Sequence, residues 1–212
     1  IFRQKGLPEE LAYTAMIESG FNPVAVSRAG AKGLWQFMEQ TGRRYGLTVN
    51  RWVDERLDPL KSTVAAAEHL KDLFAQFGSW FLVQAAYNAG EFKVVRAIQR
   101  SGSQDFWDLA RGRVLREETK RFVPAIQAAT LIAREPEQYG FEVTPEPPEE
   151  FDLVTVPFSL ELRVIARLGE ISTEDLRRLN PALRRAVTPP DGSYTLKVPP
   201  GSSVRLQDEM DT

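Results

Sequence analysis

The sequence of 212 residues has no cysteine and a single histidine, His69. The absence of cysteine excludes disulfides, thiolate nucleophiles and cysteine-ligated zinc within this chain. One histidine and scattered acidic residues provide no metal-ligand spacing, so neither a metal nor another cofactor is expected. The sequence also lacks the run of about 18 apolar residues that a membrane-spanning helix needs. Its chemistry must therefore come from carboxyl, amide, hydroxyl and aromatic side chains.

An excess of charge of either sign is also missing, because 27 Lys and Arg stand against 29 Asp and Glu. Residues 1–143 hold 19 basic and 17 acidic side chains, whereas residues 144–212 hold 8 and 12. A protein that binds the phosphate backbone concentrates basic residues in one domain or on one face. Nucleic acid is therefore not the expected partner. The hydrophobic content of 42% is ordinary for a folded globular protein.

Apolar residues recur at helical spacing through most of the first 134 residues, between glycine and proline stops. Pro124 is expected to kink the last of these helices or to mark a local break in it. The pattern predicts an all-helical N-terminal part, with helices over residues 8–19, 31–45, 59–77, 80–87, 91–98 and 117–133.

Proline and glutamate become frequent after residue 135, most of all in residues 144–150. Such a segment cannot pack a core and is typical of an extended, semi-rigid linker. Beyond it, the pattern predicts a βααβ order, with strands at 152–156 and 194–198 and helices at 160–168 and 173–179. We therefore expect a first domain over residues 1–143, the linker over residues 144–150 and a small domain over residues 151–212.

Glu18 is the most informative single residue, because it ends an apolar helical stretch and is followed by Ser19 and Gly20. A carboxyl that leaves an apolar helix for a polar turn is partly desolvated, and desolvation raises its pKa. Such a group keeps a proton that it can donate near neutral pH. Taken alone, an ordinary surface glutamate would be the more frequent explanation. The other unusual strings of the chain favour a functional role.

Two of those strings contain polar side chains that packing alone does not explain. Gln36 lies within Gly33–Met38, and a buried amide must be hydrogen-bonded at both ends. Tyr87 and Asn88 lie among small residues, which permit close helix approach, and they place a hydroxyl and an amide on that ridge. Such aromatic, amide and glycine positions are typical of the walls of a sugar-binding groove.

Four strings in this order resemble the motifs of the lytic transglycosylases, relatives of goose-type lysozyme, over residues 7–134. They are Glu18-Ser19, Ser27 with Gly30–Met38, Ala86–Gly90 and Glu118–Val123. Phe122 stands where the family usually has tyrosine, so no hydroxyl is available at that position. The D-type membrane-bound murein transglycosylases are the members most similar to this chain, and that likeness includes Thr41–Leu47 and Asp105–Trp107.

The resemblance implies a mostly α, lysozyme-like catalytic domain that cleaves the bond between N-acetylmuramic acid and N-acetylglucosamine in peptidoglycan without consuming water. It implies one glutamate that works first as acid and then as base, although Asp54, Asp58 and Glu118 stay open as a second carboxylate. Carried over residue by residue, it gives Glu18 as the catalytic residue, Ser27, Gln36, Met38, Tyr87 and Asn88 as substrate-binding residues, and Ser19 and Glu118 as supporting residues.

The C-terminal part resembles a LysM module, a small peptidoglycan-binding domain, in its βααβ order. The likeness includes Ile171–Pro181 and the final strand Tyr194–Pro199. The Gly-Asp-Thr turn that usually follows the first strand is missing, and Val156–Leu160 stands in its place. That loop contributes to the sugar groove of LysM domains. Whether this domain binds glycan or only packs against the catalytic domain is therefore left open.

Two other functions are compatible with the same residues: hydrolysis by a muramidase on this scaffold, and glycan binding without catalysis. The implied partners are peptidoglycan glycan strands, and the expected protein is a monomer in the bacterial periplasm or cell envelope. The chain begins at Ile1 rather than methionine. We therefore expect a fragment or processed form, with any signal peptide or outer-membrane anchor lying outside it.

Overall fold

The computed structural model describes residues 1–211, and this part of the chain divides into two compact units. The first unit contains residues 1–22, 34–36 and 63–144. The second contains residues 23–33, residues 37–62 and the chain from residue 145 onward. The second unit therefore joins an internal segment of the helical part to the C-terminal part. The boundaries expected from the sequence, at residues 144–150, stay a prediction.

Helices dominate the first unit and outnumber the strands in the second, and the mostly α fold expected from the sequence is confirmed. Among the described residues, none of the helices is both long and apolar enough to cross a membrane. The helices are α1 Tyr13–Ser19, α2 Glu39–Arg44, α3 Pro59–Phe77, α4 Trp80–Ala89, α5 Glu91–Ser101, α6 Phe106–Arg111, α7 Glu117–Arg134, α8 Leu162–Leu168, α9 Thr173–Leu179 and α10 Ser203–Asp211. The strands are β1 Asp152–Val156 and β2 Tyr194–Val198, and 3-10 turns cover Arg3–Lys5, Glu9–Ala12, Glu55–Leu57 and Pro136–Tyr139.

The first unit packs around α4, which contacts α5, α6 and α7, while α1 packs against α7. Ala85 and Ala86 of α4 are buried, and small side chains let helices approach closely. The helix α7 continues through Pro124, so the local break that the sequence allows is not found. Val123 and Ile126, on either side of this proline, are fully buried. Their packing offsets the hydrogen bond that proline cannot donate.

The helix predicted over residues 31–45 is wrong for residues 31–38. Only α2 is helical in this range. Lys32 and Phe37 instead form a short antiparallel bridge, in which each N–H donates to the other carbonyl over 3.1 Å. The apolar spacing of this string therefore belongs to a compact turn rather than to a helix.

Gly33 supplies the physical reason for this turn. Its φ is 80°, in the left-handed region that favours glycine. A Cβ at this position would lie 1.8 Å from the carbonyl oxygen of Arg56, so only glycine permits the two backbones to approach this closely. These two requirements outweigh the helical spacing of the neighbouring apolar residues.

The C-terminal part of the second unit has the predicted βααβ order, with α10 added after the last strand. The strands are antiparallel, and Val154 lies opposite Leu196. The inward-facing residues of both strands pack with α8, α9 and α10 in one core, to which α10 contributes the fully buried Leu206. Residues 141–150, which precede β1, are exposed and have no regular secondary structure.

Candidate active site

Glu18 lies in the last turn of α1 and is half-buried. The helix ends there because Gly20 adopts a left-handed conformation with φ 63°, and its N–H donates to the carbonyl of Met16 over 2.8 Å. The carboxyl therefore projects from a helix end whose neighbour Ala15 is buried. This is the partly desolvated position that the sequence predicts.

Burial raises the pKa of Glu18 from 4.5 to about 7, and the negative charge of Glu118 contributes to the increase. Neither cause is a hydrogen bond that would stabilise the carboxylate. Near pH 7 the protonated and ionised forms of Glu18 are therefore similarly populated. A carboxyl in this state can both donate and accept a proton, which is the property that general acid–base catalysis requires.

Two hydroxyl groups hold the backbone of residues 34 and 35. The Ser19 hydroxyl donates to the carbonyl of Leu34 over 2.8 Å, and the Tyr87 hydroxyl donates to the carbonyl of Trp35 over 2.7 Å. These two bonds are called the carbonyl clamp below. The Trp35 ring is buried, and its Nε1–H donates to Thr63 Oγ1 over 2.9 Å. Residues from α1, α3 and α4 thus fix this short segment of the first unit.

Gln36 follows the carbonyl clamp directly and has a positive φ of 49°. This conformation is unfavourable for residues other than glycine, and it persists only where the surroundings enforce it. The backbone of Gln36 is therefore constrained next to a segment that is already hydrogen-bonded on both carbonyls. A constrained backbone gives its side chain a defined direction, as a substrate-binding role requires.

Tyr87 stays protonated at every physiological pH. Burial raises the pKa of its hydroxyl well above 10, and the charge of Glu18 adds to this. Its ring also lies against that of His69, with 5.1 Å between the ring centroids. The hydroxyl is therefore a permanent hydrogen-bond donor to Trp35, and it lies close enough to Glu18 for the two groups to interact electrostatically.

Asn88 and Glu118 are joined directly. The amide Nδ2 of Asn88 donates to Glu118 Oε1 over 3.2 Å, and the hydroxyl of Thr119 donates to Asn88 Oδ1 over 2.8 Å. The two contacts fix the orientation of the amide and hold the Glu118 carboxylate at the start of α7. Asn88 still has one amide hydrogen and one lone pair for a substrate. Thr119 is buried; it lies in the fourth sequence motif but was assigned no role from the sequence.

The remaining two predicted site residues, Ser27 and Met38, belong to the second unit. Ser27 Oγ accepts the N–H of Ala31 over 3.0 Å, so its side chain closes the turn that contains it. Met38 is 47% exposed and immediately precedes α2. The structure thus brings Glu18, Ser19, Gln36, Tyr87, Asn88 and Glu118 into the first unit and leaves Ser27 and Met38 in the second.

The acids that the sequence left open differ in their surroundings. Asp54 is buried, and burial raises its pKa, but the guanidinium of Arg56 and the ammonium of Lys32 outweigh this and lower it. Asp58 accepts the N–H of Leu60 at the start of α3 over 2.9 Å and is also paired with a lysine. Both carboxylates are engaged in structural contacts. Glu118 is the acid that affects Glu18.

Comparison with known families gives two matches along this chain. A model of the transglycosylase SLT domain matches residues 3–110, about half of the chain. A model of the LysM-like domain of the lytic transglycosylase MltD matches residues 150–212. The two families named by the sequence motifs are thus confirmed in the expected order.

Individual relatives agree with these families. The chain is 34% identical over 215 residues to the membrane-bound lytic murein transglycosylase D of Escherichia coli K12, covering 98% of this chain and 46% of that protein. The chain therefore spans about half the length of this relative.

Among solved structures, the 70 kDa soluble lytic transglycosylase of Escherichia coli is similar at a TM-score of 0.52 and 27% identity, over 60% of this chain and 22% of that one. An inactive mutant of the lytic transglycosylase Slt from Pseudomonas aeruginosa matches at a TM-score of 0.53 and 24% identity, over 64% of this chain and 23% of that one. The lysozyme-like fold expected for the N-terminal part is thereby confirmed.

Proposed function

Because this chain belongs to the transglycosylase SLT domain family, we propose that it is a peptidoglycan lytic transglycosylase in which Glu18 carries the chemistry. The observation that supports this best is the half-buried Glu18 carboxyl, whose pKa of about 7 makes it both an acid and a base at neutral pH. The proposed substrate bond is the β-1,4 bond between N-acetylmuramic acid and N-acetylglucosamine.

In the first step, protonated Glu18 donates its proton to the glycosidic oxygen as the bond from this oxygen to C1 of the muramyl sugar breaks. The leaving sugar departs with a hydroxyl group, and positive charge develops at C1. A carboxyl with a raised pKa is already protonated for this transfer near neutral pH. The burial that raises the pKa therefore prepares the acid.

In the second step, the muramyl C6 oxygen attacks C1, and ionised Glu18 accepts the C6 hydroxyl proton. The product is a 1,6-anhydro-muramyl end, and no water is consumed. Glu118 makes this step more favourable, because its negative charge increases the proton affinity of Glu18. One residue thus serves as acid and base, and it returns to its starting protonated form.

The substrate-binding residues in this proposal are Ser27, Gln36, Met38, Tyr87 and Asn88, and Ser19 and Glu118 act in support. Ser19 and Tyr87 hold the carbonyl clamp that precedes the constrained backbone of Gln36. Asn88 keeps hydrogen-bonding capacity while it is fixed by Glu118 and Thr119. These contacts support a groove whose polar groups are oriented before the sugar arrives.

We further propose peptidoglycan glycan strands as the partner of a monomeric protein in the bacterial periplasm or cell envelope. That is where peptidoglycan lies, and any membrane association would come from an anchor outside this chain. The residue ranges proposed for the domains are 1–143 for catalysis, 144–150 for the linker and 151–212 for the LysM-like domain. Glycan binding by the last of these stays open.

Mass spectrometry of the muropeptides released from purified peptidoglycan tests the function. We expect the wild-type protein to release anhydro-muramyl ends and Glu18→Gln to release none, because the amide keeps the shape but cannot donate the proton. Glu117→Gln is the matched control, since Glu117 is an exposed glutamate that pairs with Lys120. This variant should retain wild-type products.

The product ends distinguish the competing functions. Reducing ends would contradict a transglycosylase and indicate a muramidase that uses water. Glu118 would then be the first candidate to test as the second carboxylate. No products from either protein, on intact sacculi and on denuded glycan, would contradict catalysis and favour a glycan-binding role. In that case Glu18→Gln should bind glycan as tightly as the wild type.

A further inference from the structure

The C-terminal domain of the second unit pairs its backbone with an internal segment, residues 48–58. The N–H of Asp54 donates to the carbonyl of Ala182 over 2.8 Å, and the N–H of Arg184 donates to the carbonyl of Trp52 over 2.9 Å. Val53 and Leu183, between these partners, form an antiparallel bridge. The contact is therefore a short β-pairing.

Side chains reinforce this pairing. Lys197 Nζ donates to Asp58 Oδ2 over 2.9 Å, and the two side chains are only 13% and 11% exposed. Arg184 Nη1 donates to the carbonyl of Asn50 over 2.8 Å. An ion pair with so little exposure is costly to break, because the remaining carboxylate is left without its partner. The C-terminal domain thus holds residues 48–58 at both ends.

The held segment in turn supports residues 27–33 and Phe37 of the same unit. Arg56, which is 4% exposed, binds the Asp54 carboxylate through Nε and Nη2, each over 2.8 Å. Its third nitrogen, Nη1, donates to the carbonyls of Gly30 and Phe37 over 3.2 Å. Gly30 lies in the turn that Ser27 closes, and Met38 follows Phe37. Contacts therefore run without a gap from the C-terminal domain to two proposed substrate-binding residues.

We infer that the C-terminal domain positions residues 27–33, 37 and 38 for the substrate, and that Arg184 and Lys197 are positioning residues of the catalytic reaction. This inference rests on the proposed function. The domain then contributes to substrate binding through residues 48–58, whether or not it binds glycan itself. Because Arg56 binds both Asp54 of the held segment and the carbonyls of Gly30 and Phe37, we expect loosening of residues 48–58 to loosen that turn as well.

Steady-state kinetics of the full chain, with a short soluble glycan as substrate, test this role. We expect Lys197→Met to raise KM about tenfold with a smaller change in kcat, since the reacting Glu18 is unaltered. Lys197→Arg, which keeps the positive charge, should have a KM close to that of the wild type. Arg205→Met is the matched control, because Arg205 pairs with Glu170 inside the same domain. Its KM should equal that of the wild type.

Hydrogen exchange by mass spectrometry gives a readout that does not depend on activity. We expect the amides of residues 31–33 and of Phe37 to exchange faster in Lys197→Met than in the wild type or Arg205→Met. Arg184→Ala, at an exposed position, gives the same measurement if Lys197→Met does not fold. Unchanged exchange together with unchanged KM would overturn the inference. If the wild-type chain releases no products from peptidoglycan but exchange is faster in Lys197→Met, the result would count against the proposed function rather than against the contact between the C-terminal domain and residues 48–58.

A pure glycan-binding role for the domain predicts a different pattern. Lys197→Met would then weaken binding to whole sacculi and leave both the turnover of the short glycan and the exchange of residues 31–33 and Phe37 unchanged. That combination would also overturn the inference.

Discussion

A single carboxyl can serve both chemical steps only if its pKa lies near the working pH. The pKa of Glu18 is about 7, so kcat/KM should fall as the pH rises through about 7 and the acid is lost. Glu118→Gln removes the negative charge that helps to raise this pKa, while its Oε1 still accepts from Asn88. We expect the alkaline limb of the pH–rate profile to move to lower pH in this variant.

The matched control for that profile is Glu117→Gln. It removes a charge from the same helix turn, but Glu117 is not one of the causes of the raised Glu18 pKa. Its alkaline limb should coincide with that of the wild type. An unchanged limb in Glu118→Gln would contradict the electrostatic coupling between the two glutamates.

The raised pKa of Glu18 also has a cost for stability. The folded protein keeps the proton to about pH 7, whereas the unfolded chain releases it near pH 4.5. Stability from this group is therefore complete below pH 4.5 and is lost as the pH rises to about 7, by up to about 3 kcal/mol. Glu18→Gln should be more stable than the wild type at pH 8 and equally stable at pH 4.

Urea unfolding at the two pH values measures this difference, with Glu117→Gln again as the control. If Glu18→Gln gains nothing at pH 8, the carboxyl is not desolvated to the extent that its pKa requires. The expected gain, with complete loss of turnover, is the trade-off typical of catalytic residues.

Only some features of the site could be predicted from the sequence. Glu18 was identified because its helix end, its polar turn and its neighbours lie within a few positions. The Thr119–Asn88 bond and the carbonyl clamp were not, because their partners lie far apart along the chain: the bond from Tyr87 to Trp35 spans 52 positions. A backbone carbonyl carries no signal in a sequence, so the acceptors of Ser19 and Tyr87 appear only in the structure.

Among the elements, the turn at residues 30–37 depends on glycine in two different ways. Gly30 and Gly33 both have positive φ, 86° and 80°, but only Gly33 faces a backbone atom within contact distance. Gly30→Ala should therefore lower the free energy of unfolding only by the cost of placing alanine in the left-handed conformation, about 1–2 kcal/mol. Gly33→Ala should cost clearly more, because the Arg56 backbone must also move from a position where a Cβ would be 1.8 Å away.

Chemical unfolding of the two alanine variants compares these costs directly, and Gly30→Ala is the matched control for backbone strain. Equal destabilisation would show that the close approach of residues 33 and 56 contributes nothing. A larger loss for Gly33→Ala, with a raised KM, would show that this turn also supports substrate binding.

Helix length explains which elements the sequence predicts. The long helices α3 and α7 were located within a few residues, because an apolar stripe repeats several times along each. The six-residue α6 was missed because it is too short for a periodic signal, although Asp105 caps it by accepting the N–H of Trp107 and Asp108. Such a cap is a local signal that sequence reasoning can use.

At the scale of the whole molecule, the second unit joins parts of the chain that are about 130 residues apart. Its pairing of Asp54 with Ala182 uses backbone atoms, so neither residue type predicts it. The βααβ order of the C-terminal part was predictable, because its strands and helices are each defined locally. Its association with residues 48–58 was not.

The two units should respond to pH in opposite directions. Ionisation of Glu18 weakens the first unit as the pH rises to about 7. In the second unit, Arg56 and Lys32 lower the pKa of Asp54 below 3.8, so this stabilisation is present above pH 3.8 and is lost as the pH falls below it. We expect hydrogen exchange, after correction for intrinsic rates, to be slowest in the first unit below about pH 4.5 and slowest in the second unit above about pH 4.

Exchange measured at pH 3, 5 and 8 separates the two effects, because peptides from α1 and α7 report on the first unit and peptides from residues 48–58 report on the second. Glu18→Gln should abolish the loss of protection at pH 8 in the first unit only. Asp54→Asn should weaken the second unit more at pH 5 and pH 8 than at pH 3, since it leaves the buried Arg56 charge without a carboxylate that the wild type itself loses as the pH falls. Parallel changes in both units under all three conditions would mean that they unfold as one cooperative body and would contradict this separation.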